Sequence, residues 1–330
     1  MGGRNVLMRL RFIFVRRLLL GALLAIAIVS ITALRYSCRD YRSFFLYDKG
    51  ALISAETREV ARDSLTRTSD FTLKGSKGLT VRGRLRIPRR GRAPYPAVLI
   101  APGIETGQLV IGLLDEQPSV IVMAIQYPYT GELDFSGLKA VSTLLELRRA
   151  GMKTIPSMLL ALDYLVSCPE VDTSDVAVAT VSFGTFVGVP AAALHVRVKR
   201  LIVVQGGGDI ASVIAANAKR LEMPLPPGLS GLLGGLFLRP FEPNRYIADL
   251  SPRPLLMVDS PGDLLFPDES ARSLFNHARE PKELVWHTSK HVMPGELEIV
   301  KELTDVVVEK VYKNHLETID REMPNRTRPQ

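Results

Sequence analysis

The stretch 176–194, VAVATVSFGTFVGVPAAAL, decides the fold. Its first six residues are small or apolar and valine-rich, the signature of a strand buried on both faces. The residues from Thr185 to Leu194 read as a helix. Between them stands Ser182-Phe183-Gly184. Strand, Ser-x-Gly, helix is the context of a nucleophile elbow, a tight turn that lifts a hydroxyl off the end of a sheet. Gly184 would let the helix pack close, and the helix N-terminus favours the negative charge of a tetrahedral intermediate. Thr180 stands at the first glycine position of the full G-x-S-x-G pattern, where the turn asks for a small residue.

Outward from this turn the pattern is regular. Upstream, residues 71–74 and 79–87 (LTVRGRLRI) alternate apolar and polar, as half-buried antiparallel strands do, with 75–78 as their turn. Residues 96–101 (PAVLIA) and 119–126 (SVIVMAIQ) are continuous apolar runs, and so read as buried parallel strands. Residues 158–166 have helical spacing. Downstream, 201–205 (LIVVQ), 254–259 (PLLMVD) and 284–286 read as further strands. The tail, 296–319, has Ile299, Leu303, Val306, Val307 and Val311 on one helical face. Strand–helix alternation of this kind predicts a mostly parallel sheet covered by helices on both faces. In such sheets the chemistry gathers at the carboxyl ends of the strands.

A nucleophile at Ser182 asks for an acid and then a histidine downstream. Asp263 follows the strand 254–259 in a loop at the right end of the sheet; Asp259 still lies on the strand, and Asp268 reads as a helix cap. Of five histidines, His195 ends the helix after Ser182, and His277 and His315 lie on polar helices. His287 closes a strand, whereas His291 sits deeper in the following loop. His287-x-x-x-His291 has a metal-ligand spacing, but it lies in a loop without the HExxH glutamate, so no metal is expected. A second Ser-x-Gly, Ser260-Pro261-Gly262, puts proline where the oxyanion needs an N–H. The expected triad is therefore Ser182, His291 and Asp263. Backbone N–H groups of Phe183 and of Ile104, in the loop after 96–101, are the expected oxyanion donors.

These motifs resemble the α/β-hydrolase superfamily over residues 71–315, and most nearly its dienelactone-hydrolase and prolyl-oligopeptidase-like branch of esterases. Ala161-Leu162-Asp163-Tyr164-Leu165 with Pro169-Glu170-Val171-Asp172 is similar to the helix and turn before the elbow strand there. Arg253-Pro254-Leu255-Leu256 through Gly262-Asp263 resembles its acid segment, and residues 282–291 its histidine segment. The resemblance implies Ser182, Asp263 and His291 as triad, with Ile104 and Phe183 holding the oxyanion. Two departures are Thr180 for glycine and Pro102-Gly103 where many members have His-Gly. The implied organisation is a linker over 43–70 and a hydrolase domain over 71–330. Within that domain, 207–250 is too long for a simple crossover and reads either as a cap over the site, which suggests an apolar acyl or alcohol moiety in the substrate, or as extra core packing.

Charge separates this body from what precedes it. The 330 residues carry a formal +8, but residues 1–42 hold eight arginines against the one acid Asp40, a net of +7. The remainder has 34 basic and 33 acidic side chains, so no nucleic-acid partner is expected. Residues 18–34 (LLLGALLAIAIVSITAL) form an apolar run flanked by Arg16-Arg17 and Arg35, at the short end of a membrane-spanning helix. The expectation is a single-pass N-terminal anchor in the lipid bilayer with the body on the non-cytoplasmic side; the alternative is a cleaved secretory signal. Cys38 and Cys168 are too few for a disulfide framework or a cysteine-rich zinc site. Gly206-Gly207-Gly208-Asp209-Ile210-Ala211 fits GxGxxA but lacks its βαβ context, and no cofactor is expected. The reading is a membrane-anchored serine hydrolase of carboxylic esters acting on a small molecule. The alternatives are a serine peptidase of the same fold, which has no propeller-sized gate here, or a tethered binding protein without turnover.

Overall fold

Five apolar runs form the centre of the sheet: β4 (Tyr95–Ala101), β5 (Ile121–Ile125), β6 (Val171–Val181), β7 (Arg200–Val204) and β8 (Leu255–Asp259). The computed structural model describes residues 39–114, 119–293 and 295–322, with scattered positions before residue 39. Three further strands precede them, β1 (Leu52–Arg62), β2 (Thr66–Gly75) and β3 (Thr80–Pro88), and β9 (Lys282–Trp286) follows. The order across the sheet is β1-β2-β3-β5-β4-β6-β7-β8-β9. From β5 to β9 every pairing is parallel, whereas β1, β2, β3 and β5 pair antiparallel. Gly83 of β3 is opposite Phe71 of β2; a Cβ there would lie 2.3 Å from the Phe71 ring and 2.4 Å from Ala124 O. Only glycine fits that crossing.

The helices are α1 (Arg42–Lys49), the short α2 (Val110–Leu113), α3 (Lys139–Leu165), α4 (Thr185–Leu194), α5 (Ile210–Asn217), α6 (Pro227–Phe237), α7 (Asp268–His277) and α8 (Leu297–Glu322). Parallel crossovers are right-handed, so those advancing from β5 towards β9 lie on one face and the single step back from β4 to β5 lies on the other. The first face thus receives α3, α4 and α7. The second receives only α2 and the returning α8. Val110 and Ile111 of α2 and Leu303 and Tyr312 of α8 pack there with Val98, Ile100, Val122 and Ile202.

The segment 43–70, expected as a linker, is structured: α1, β1 and the start of β2 occupy it. β1 is an edge strand whose side chains are mostly exposed, so its sequence LISAETREVAR has no apolar alternation to reveal it. Its definition comes from the backbone ladder to β2, which runs from Leu52 opposite Gly75 to Arg62 opposite Arg67. Phe45 of α1 is fully buried.

The chain divides into two units, Met1–Tyr41 and Arg42–Gln330. The apolar run 18–34, expected as a membrane helix, lies almost entirely outside the described residues. Among the described residues no helix is long and apolar enough to cross a membrane.

The long connection from β7 to β8 carries α5, α6 and three 3-10 turns. The Glu242 carboxylate accepts from Asp209 N and Ile210 N, both at 2.8 Å, at the start of α5, where negative charge is favoured. α6 packs on α5 through glycines, while Leu229, Leu232 and Leu233 are exposed.

Candidate active site

Ser182 directly follows β6 and begins a 3-10 turn, Ser182–Gly184, that runs directly into α4. Its φ is +53°, a left-handed conformation that non-glycine residues seldom adopt. The turn stays this tight because a Cβ on Gly184 would lie 1.8 Å from Ala101 O, at the end of the neighbouring strand. Thr180 is fully buried. Its hydroxyl lies 3.3 Å from Thr185 Oγ1 and 3.4 Å from Ile202 O, so both ends of the turn share a polar contact that glycine would lack.

The structure brings Ser182, His291 and Asp263 together. Ser182 Oγ is 2.8 Å from His291 Nε2, and His291 Nδ1 is 2.6 Å from Asp263 Oδ2. The imidazole and the carboxylate are both buried. Asp263 Oδ1 accepts from Leu265 N at 2.7 Å and Phe266 N at 3.1 Å, which fixes the carboxylate and leaves Oδ2 for the histidine. The Phe266 ring lies parallel to the imidazole, with centroids 6.1 Å apart. Asp268, expected as a cap, is the first residue of α7 and accepts from Gly262 N at 2.9 Å; Pro267 holds the cap position. That bond braces the loop carrying Asp263.

Asp259, at the end of β8, has a different environment. Its Oδ1 accepts from Gly206 N at 3.0 Å, and its buried Oδ2 has no partner among the described residues. Burial, partly offset by the Gly206 bond and reinforced by the like charges of Asp263 and Asp268, pushes its carboxyl up to about 8.

Ile104 and Phe183 both line a cavity with Ser182 and His291. The loop bearing Ile104 is closed by Thr106 N–H donating to Gly103 O at 3.0 Å. The buried Tyr127 hydroxyl donates to Pro102 O at 2.8 Å, and burial holds that phenol well above its ordinary range. A smaller cavity of about 30 Å³ lies behind Phe183 and Ile104, where Ile210, Leu238 and Phe241 of the β7–β8 connection meet them.

Two groups were not singled out by sequence: Tyr127 and Gln205. Gln205 is fully buried with φ +46°. Its Nε2 lies 2.8 Å from Ser260 Oγ, 3.1 Å from Ser289 Oγ and 2.7 Å from Lys290 O. Its Oε1 accepts from Val292 N at 2.6 Å. One amide therefore grips the chain on both sides of His291. In sequence it looked like the last residue of a strand, and the positive φ that turns it inward leaves no local signature.

Three other histidines lie elsewhere. His195 pairs with Asp163 at 3.1 Å, and Lys49 reaches the same carboxylate at 2.5 Å. His277 Nδ1 is 2.8 Å from Ser273 O, and His287 donates its backbone N–H to Asp259 O. Among the described residues no three His, Cys, Asp or Glu side chains are grouped as a metal ion would need.

No family model matches the sequence, and no curated protein matches it. Solved structures do. An acetyl xylan esterase from a Paenibacillus species superposes with a TM-score of 0.56 at 19% identity, over 79% of this chain and 92% of that one. A second acetyl xylan esterase, from a Thermoanaerobacterium species, gives 0.54 at 15%, over 80% and 92%. A glucuronoyl esterase from Solibacter usitatus gives 0.52 at 14%, over 80% and 90%. At such identities the likeness speaks for the architecture, and together with the strand order it makes this an α/β-hydrolase fold.

Proposed function

We propose that the protein is a serine hydrolase that cleaves carboxylic esters through an acyl-enzyme. The observation that carries this reading is the unbroken chain from Ser182 Oγ through His291 to Asp263, with hydrogen bonds of 2.8 and 2.6 Å. Ser182 Oγ attacks the carbonyl carbon while its proton passes to His291 Nε2. Asp263 Oδ2 accepts from Nδ1–H, holds the useful tautomer and stabilises the imidazolium. The backbone N–H groups of Phe183 and Ile104 take the oxyanion. Collapse of the intermediate breaks the bond to the alcohol, which leaves with the proton from His291. Water, deprotonated by the same nitrogen, then releases the acid and restores Ser182.

The ester bond is preferred to the peptide bond because the structural neighbours above are named as esterases. We also propose that residues 18–34 tether this body to a bilayer, bounded by Arg16-Arg17 and Arg35; the five arginines before the span (Arg4, Arg9, Arg11, Arg16 and Arg17) support a body on the non-cytoplasmic side. The β7–β8 connection meets the oxyanion-side residues Phe183 and Ile104 through Ile210, Leu238 and Phe241, around the smaller cavity.

Labelling with a fluorophosphonate tests the chemistry. The full chain is expected to react at Ser182, and Ser182→Ala to lose the label. Label resistance in the folded protein, or equal labelling of Ser182→Ala, would show that the fold is kept for binding without turnover.

A further inference from the structure

The two faces of the central sheet are not packed alike. Along β4, Ala97 and Leu99 are 0% exposed, whereas Val98 and Ile100, pointing the other way, retain 7%. Along β6, Val178 and Thr180 are fully buried, while Ala179 and Val181 are only partly so. The looser side chains all share the face covered only by α2 and α8. Protein interiors normally pack to near-crystalline density, so an alternation like this marks space on one side of the sheet.

That space is a cavity of about 400 Å³, within the range of small-molecule sites. Val98, Ile100, Ala179 and Val181 form its sheet wall, and Leu303 and Val307 of α8 lie across from them. Ser182, Phe183, Ile104 and His291 line the same cavity, so it is continuous with the reacting groups. Its other polar side chains are Glu105, Thr106, Arg220, Thr304 and Tyr312; the rest is hydrocarbon. The cause is topological. Among the described residues, the connection from β4 to β5 carries only the 3-10 turn Gly107–Leu109 and the four-residue α2 that continues it, where a full crossover helix would fill this face.

From this we infer that the cavity between the sheet and α8 holds the acyl chain of the substrate, and that the substrates are esters of medium- or long-chain fatty acids. The inference rests on the serine-hydrolase reading. The acyl group, and not the alcohol, is the occupant because of the order of bond changes. The acyl group stays bonded to Ser182 Oγ through both half-reactions and can remain buried. The alcohol must leave before water attacks.

A series of p-nitrophenyl esters, acetate to dodecanoate, tests this with the full chain and a constant leaving group. Each added methylene buried in the cavity should raise kcat/KM about four-fold until the cavity is filled. Ala179→Phe and Leu303→Trp, which add bulk from opposite walls, should each lower the octanoate-to-acetate ratio at least about ten-fold. A best rate with acetate overturns the inference. So does an equal gain when alkyl acetates are lengthened on the alcohol side.

A second measurement needs no turnover. Dodecanoate should bind Ser182→Ala in calorimetry, and should bind the Ser182→Ala/Leu303→Trp double variant at least about ten-fold more weakly. No binding to either, or equal binding to both, also overturns it. If fluorophosphonate labelling fails while dodecanoate still binds in this pattern, the catalytic reading falls and the lipid site stands. Labelling at Ser182 with a flat ester series leaves the hydrolase and removes the acyl site.

Discussion

Asp259 and Asp263 lie one turn apart in the chain and face opposite demands. Asp263 spends one oxygen on Leu265 N and Phe266 N and gives the other to His291. Asp263→Asn would keep the loop bonds at Oδ1 but turn an N–H towards His291 Nδ1. That ring nitrogen must then accept, the proton moves to Nε2, and Nε2 can no longer take the Ser182 proton. We expect kcat to fall about 10⁴-fold with the fold intact, read by steady-state kinetics beside circular dichroism. Asp259 makes a single bond to Gly206 N and is pushed up to about 8 by burial. Unfolded, the same carboxyl titrates at about 4. Between those values the folded protein holds a proton that the unfolded chain has lost, so this group's contribution falls as pH rises from about 4 to 8 and levels off above. Asp259→Asn removes that dependence. The thermal midpoint of the variant, relative to wild type, should therefore gain more at pH 8 than at pH 5; a constant offset would mean that Asp259 is ionised throughout.

Among the elements, the buried strands were readable because a strand covered on both faces must be a continuous apolar run. The runs 96–101, 176–181, 201–205 and 254–259 reappear as β4, β6, β7 and β8, shifted by a residue, or extended or trimmed at one end. α3 was read from residue 158, yet it starts at Lys139, because Pro156 looks like a stop signal. Thr154 and Ser157 hydroxyls donate to the Ala150 and Lys153 carbonyls in the turns around that proline, contacts that spacing does not disclose. The proposed triad was readable for the same reason as the strands: each member follows a strand end in chain order. Tyr127 and Gln205 act through contacts between distant loops, and nothing beside them in sequence marks that. Arg253 is another such group. Its guanidinium donates to Ala192 O and Ala193 O in the last turn of α4, to His195 O and Val198 O just beyond it, and to Asp249 O and Leu250 O. A cation there satisfies the free carbonyls of the helix that carries the elbow and offsets its dipole. Lysine keeps the charge but cannot span this set with one ammonium. We expect Arg253→Lys to cost about 2–4 kcal/mol, read as a lower urea midpoint with an unchanged slope. A change under about 0.5 kcal/mol would mean that water replaces the guanidinium at those carbonyls.

For the molecule as a whole, the charge is divided unevenly between two regions. Residues 1–42 carry +7 around one apolar run, and the rest of the chain is nearly neutral. A neutral body suits an uncharged ester, and under the proposed anchoring it leaves membrane attraction to residues 1–42. Two physical modes of attachment are then separable. Arginines adsorbing on anionic headgroups are screened by salt, because the Debye length falls to about 3 Å at 1 M. An inserted apolar helix is held by hydrocarbon burial and ignores salt. The full chain should thus float with phosphatidylcholine–phosphatidylserine vesicles and stay with them in about 1 M salt. The chain lacking residues 1–41, cut where the second unit begins at Arg42, should remain in solution and react with fluorophosphonate at the full-length rate. Release of the full chain by salt would reduce the leader to an electrostatic tether. Flotation of the truncated chain would instead point to a second lipid contact in the body. The exposed Leu229, Leu232 and Leu233 of α6 would then be the surface to change, and Leu232→Glu should return that truncated chain to solution.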